Sequence, residues 1–99
     1  MTKAENEKNH TIRRLSERFN INVSEEEYNR LRNAIKHINS KHYEDIEVSI
    51  LGAISTTKTF FKINYKGIRF TALYSNRRHT IVTVLTEEME IKNLKGAQR

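Results

Sequence analysis

A chain of 99 residues, 36% of them hydrophobic and 30% charged, has material for one small domain with a thin core and too little for two. It contains no cysteine and no proline, which excludes disulfides, thiolate metal sites and cysteine nucleophiles and implies short, regular connections. The net charge of +6 favours a nucleic acid, an anionic surface or an acidic partner.

No apolar run approaches the roughly 18 residues that span a bilayer, so no membrane association is expected. The opening MTKAENEKNH has charges with no apolar stretch behind them, unlike a secretory signal. With no disulfides to form, a cytoplasmic location is the expectation.

Residues 1–8 are polar and read as a flexible terminus. From Asn9 to Phe19, Ile12, Leu15 and Phe19 recur at helical spacing, which leaves His10, Arg14, Glu17 and Arg18 on the opposite side. Ile21 and Val23 form a short apolar linker. Ser24 and Glu27 then make a capping box, with Val23 able to staple against Tyr28. Tyr28, Leu31, Ala34, Ile35 and Ile38 give the second helix one apolar stripe. It should fade near Asn39, where Lys36, His37 and Lys41 complement its negative end.

After Tyr43 the period changes to two. Residues 46–54 alternate loosely, and 59–66 place Phe61, Ile63 and Tyr65 on one face. Lys66 and Gly67 suit a tight turn. Residues 68–74 gather Ile68, Phe70, Ala72 and Tyr74 against Arg69, Thr71 and Leu73. SNRR turns the chain again, and 79–86 are dense in β-branched residues. Helices followed by strands predict an α+β fold, with two N-terminal helices packed on a four-stranded antiparallel sheet. The single domain is expected over 9–90, with a last helical turn at 87–90 and a loose basic tail at 91–99.

No metal site and no cofactor are expected. His37 and His42 stand near a helix end without ligand-spaced carboxylates, and the glycines form no nucleotide-binding pattern. No serine lies in an elbow motif. The residues do contain the parts for metal-free RNA cleavage, which needs proton transfer at a ribose 2′-hydroxyl and cations on the phosphate. His10, Arg14 and Arg18 fall four apart along one helix edge, with Arg13 nearby. Thr80 and Thr83 on the last strand offer hydroxyls to orient a phosphate. Arg69, Arg77 and Arg78 are further candidate contacts to nucleic acid. Tyr65, Tyr74 and His79 are candidates for a second proton-transfer group, although each tyrosine also reads as packing on an apolar face. Spacing alone favours a solvated helix face, with Glu17 paired to Arg13 or Arg14.

The pattern H-x3-R-x3-R in the first helix, SEEE opening the second, a GIRF strand and a final IVTVLT strand together carry a resemblance. This order resembles small bacterial and phage domains placed with the barnase–EndoU–colicin–RelE class of metal-independent ribonucleases and toxins, over residues 10–86. The resemblance implies a helical pair on a four-stranded antiparallel sheet. It also implies roles for His10 in proton transfer, Arg14 and Arg18 in phosphate stabilisation, and Thr83 as an orienting donor. The implied activity is toxin-type cleavage of tRNA or mRNA through the 2′-hydroxyl, with RNA as partner and an antitoxin or host protein as a second. The alternative is a non-catalytic basic module on the same fold that binds nucleic acid or a host protein, as a phage-encoded inhibitor does. A third reading is a structural or regulatory domain that pairs through a sheet edge.

Overall fold

The computed structural model describes residues 2–40 and 42–86. Helix α1 runs Lys3–Phe19, and its start is fixed by Thr2, whose side chain accepts the Glu5 N–H at 3.1 Å. It closes at Asn20, which takes the left-handed conformation (φ 56°) and returns its N–H to the Leu15 and Ser16 carbonyls. The helix therefore includes most of the stretch expected to be flexible. Glu7 is the reason: it is buried against Arg78 and Thr80, an anchor that carries no apolar signal.

Helix α2 spans Glu25–Lys36 and opens on the expected capping box, with Ser24 and Glu27 bonded reciprocally. Tyr28, Leu31, Ala34 and Ile35 form its buried stripe. Glu27 has a second task, because it also accepts from the Tyr65 hydroxyl and, at 3.1 Å, from Lys66 Nζ. The Tyr65 and Lys66 bonds lower its pKa from 4.5 to about 2. A depressed carboxylate contributes stability that is complete above its unfolded pKa and lost as pH falls through its folded one. We therefore expect Glu27→Gln to cost about 2 kcal/mol at pH 7. Thermal melts of the two proteins should converge toward pH 2; a constant gap from pH 7 to 2 would contradict the assignment.

The strands are β1 (Ile46–Ala53), β2 (Lys58–Tyr65), β3 (Ile68–Ser75) and β4 (Thr80–Leu85), joined as one antiparallel meander in the order β1-β2-β3-β4. The β2–β3 turn is built on Lys66 (φ 52°) and Gly67 (φ 78°), two left-handed residues that match strand twist. Cross-strand rows such as Val48–Ile63–Phe70 and Phe61–Ala72–Val84 supply one apolar face. Leu15, Val23, Tyr28, Leu31 and Ile35 from the helical side complete the core. The two N-terminal helices and the four-stranded antiparallel sheet give the α+β arrangement expected. The turn expected at 87–90, the tail at 91–99 and Lys41 lie outside the described residues. Among the described residues no helix is long and apolar enough to cross a membrane.

Helix α1 packs along β4, the edge of the sheet. Side chains take up the polar groups that an edge strand leaves open. Thr11 Oγ1 donates to the Ile81 carbonyl at 2.7 Å, and Arg18 Nη1 donates to the Val84 carbonyl at 2.5 Å. The buried Tyr28 hydroxyl accepts from Ile81 N–H at 3.0 Å and donates to its carbonyl at 3.2 Å. Burial raises the Tyr28 pKa to about 12. We expect Tyr28→Phe to lose about 1–3 kcal/mol in urea unfolding, because the Ile81 N–H is then buried without an acceptor. A loss within ±0.3 kcal/mol would show that this bond does not seal the edge.

Candidate functional site: a basic groove between the first helix and the last strand

An irregularity in β4 sets the geometry. Ile81 pairs with Tyr74, but Thr83 pairs with Leu73, so Val82 is an extra residue in the ladder. Regular alternation would turn Ile81 and Thr83 to one side and Val84 to the other. With the bulge, Ile81 and Val84 both enter the core, and Thr83 shares the side of Leu73. Thr83 Oγ1 thereby comes within 3.4 Å of His10 Nε2 on α1, a long contact whose donor depends on the tautomer.

A groove of ≈ 780 Å³ opens beside this pair, lined by Lys3, Asn6, Glu7, His10, Arg13 and Thr83 among others. Lys3, Asn6, Glu7, His10 and Arg13 recur at helical spacing, so one flank of α1 forms a wall about 15 Å long. Asn6 and Lys3 carry no apolar or motif signal in the sequence. Their spacing from His10 is the signal that could have found them.

His10 is partly buried, and its pKa is lowered from the ordinary 6.5, first by burial and then by the charges of Arg14, Arg13 and Arg18. A neutral imidazole at pH 7 follows, able to accept a proton and to hold a hydrogen bond with Thr83. Glu7, on the same wall, is committed elsewhere. Its oxygens receive Arg78 Nε at 2.8 Å, Arg78 Nη2 at 2.6 Å and the Thr80 hydroxyl at 2.8 Å. The Arg78 bonds hold its carboxyl below the usual range, so it stays ionised and has no proton to donate.

The arginines divide. Arg13 is exposed, lines the groove and has no ion-pair partner among the described residues. Arg14 donates Nη1 to Glu17 at 2.7 Å, while its buried Nε has no hydrogen-bond partner among the described residues. Arg18 is tied to the Val84 carbonyl. The row His10, Arg14, Arg18 is therefore neither a solvated face nor a converging trio: His10 and Arg18 meet β4, while Arg14 is paired within α1. Arg78 and Thr80 stand next to the groove through Glu7, with Arg77 exposed on the β3–β4 turn. Arg69 is apart from the rest, on the other face of the sheet beside Lys62 and Asn64.

Of the candidates for a second proton-transfer group, Tyr65 is bonded to Glu27 at the start of α2. Tyr74 and His79 are paired with each other at 3.2 Å by the β3–β4 turn. None of the three lines the groove. Among the described residues no group of three or more histidine or carboxylate side chains is placed to hold a metal. The chain matches no family model, and no curated protein and no solved structure is significantly similar to it.

Proposed function

We propose that the groove binds the phosphate backbone of RNA and cleaves it without a metal, with His10 as the base. The observation that carries this reading is the contact of the His10 imidazole, which burial and the neighbouring arginines favour in its neutral form, with Thr83 in a groove lined by the Arg13 guanidinium, which has no ion-pair partner among the described residues. His10 takes the proton of a ribose 2′-hydroxyl, and the freed oxygen attacks the adjacent phosphorus to form a 2′,3′-cyclic phosphate. Arg13 supplies the positive charge on the phosphate oxygens, with Lys3 further along the wall. Thr83 orients the imidazole through its hydroxyl. The departing 5′-oxygen takes its proton from water or from the imidazolium, since Glu7 is ionised and engaged. In this scheme Arg14 acts through its field on His10, and Arg18 through its field and by tying α1 to the Val84 carbonyl of β4, rather than by touching phosphate. The toxin-type ribonuclease class that the sequence resembles uses the same chemistry.

The experiment is incubation of the purified chain with single-stranded RNA in EDTA. Fragments ending in 2′,3′-cyclic phosphate are expected; intact RNA after prolonged incubation would overturn the reading. One observation favours a second reading: the groove holds a base but no second proton-transfer side chain among the described residues. A module that binds RNA without cutting it needs only the cations. It would show strong salt dependence with no fragments.

A further inference from the structure

α1 has a groove on each side. Opposite the His10 wall, a cleft of ≈ 210 Å³ lies between α1, α2 and the end of the β3–β4 turn, lined by Lys8, Tyr28, Arg32, Arg78 and Thr80 among others. We propose that this cleft is a second phosphate subsite, which holds the RNA chain as it crosses the first turns of α1. The inference rests on the reading of the His10 groove and extends it to a substrate that must be a strand of several nucleotides.

Three cations from three elements converge here, each with capacity left over. Arg32 on α2 has no hydrogen bond or ion pair among the described residues, yet it is half-buried and close enough for its charge to act on the hydroxyls of Tyr28 and Tyr74. A guanidinium held at a wall and left unpaired offers all its donors to an incoming anion. Arg78 gives Nε and Nη2 to Glu7, and its Nη1 has no hydrogen bond among the described residues. Lys8 bonds Glu25 at 2.9 Å, but Glu25 is 71% exposed, and so loose a pair exchanges readily for phosphate. The opposing group is Glu5, a carboxylate on the same wall with no ion-pair partner among the described residues. It sets the sign of a second test.

The two sites are physically joined. Glu7 lines the His10 groove, Arg78 and Thr80 line the cleft, and all three share one hydrogen-bonded network. Phosphates held on both flanks of α1 would be separated by a distance on the order of the helix diameter, about 10 Å. A dinucleotide in the His10 groove has one phosphate and cannot occupy both; a longer strand can.

The test is fluorescence anisotropy in EDTA with 5′-labelled RNA carrying 2′-deoxy sugars at the scissile positions, as a dinucleotide and as a decamer. Arg32→Gln removes no hydrogen bond or ion pair among the described residues, so stability should be unchanged. It should weaken decamer binding about fivefold and lower the slope of log K against log salt by about 0.7, with dinucleotide binding unaltered. Glu5→Gln should tighten decamer binding, and Arg13→Gln should weaken both ligands. Decamer binding by Arg32→Gln with wild-type affinity and slope would overturn the subsite while leaving the His10 groove intact. Failure of the wild type to bind either RNA would overturn both readings.

Discussion

Replacing Glu7 by alanine is expected to cost about 3 kcal/mol of folding stability at pH 7. Glu7 receives two bonds from Arg78 and one from Thr80, and its side chain is 10% exposed against 25% for Arg78. Deleting the carboxylate leaves a partly buried guanidinium and a buried hydroxyl without their acceptor. Arg78 can still turn toward water, which places the cost at the lower end of the roughly 3–5 kcal/mol for breaking a buried pair. In a domain of this size the melting temperature should fall by roughly 12–24 °C.

The pH dependence has a definite sign. The folded pKa of Glu7 lies below its ordinary 4.5, so the tie is fully present above that value and is lost as pH falls through the folded pKa. The gap between wild type and Glu7→Ala should accordingly be widest near pH 7 and narrow in acid. Glu7→Gln, which keeps an acceptor for Thr80, should lose less, about 1–2 kcal/mol. Coincident melts of wild type and Glu7→Ala at pH 7 would show that α1 is held by its apolar side alone.

The second large effect is on chemistry. His10→Ala should lower the cleavage rate by about 10²–10⁴-fold, the usual contribution of a positioned general base. The fold should be unaffected, because the imidazole's one hydrogen bond to the described protein is the 3.4 Å contact to Thr83. The wild-type pH profile should rise as His10 loses its proton, with its midpoint below the ordinary 6.5. Above that midpoint the rate should stay level toward pH 9, since the described residues lining the groove include no second histidine and no tyrosine, and Glu7 is already ionised. A falling alkaline limb would identify an acid other than the described residues that line the groove. Retention of full activity by His10→Ala would remove the imidazole from the mechanism.

Local features were legible in the amino-acid order. The Ser24–Glu27 box, the Lys66–Gly67 turn and the rows of β2 and β3 all depend on residues within a few positions of one another. The start of α1 was not, because its anchor is a pair between Glu7 and Arg78, distant in sequence, that no periodicity reveals. The site was legible in part. His10 and Thr83 do meet, but only because Val82 bulges out of the ladder and reverses the alternation of β4. Spacing also placed Arg14 and Arg18 with His10, and they do share its flank. Spacing cannot register that Glu17 and the Val84 carbonyl occupy them, which leaves Arg13 as the guanidinium lining the groove.

In the proposed reaction, RNA phosphate sits against the His10 imidazole. The direct measurement is an NMR titration of the His10 ring protons from pH 4 to 9, alone and with an uncleavable 2′-deoxy-substituted dinucleotide. The free protein should titrate below the ordinary value, as burial and the neighbouring arginines require, and the bound phosphate should raise the pKa by favouring the imidazolium. An imidazole that titrates identically with and without bound dinucleotide would contradict the claim.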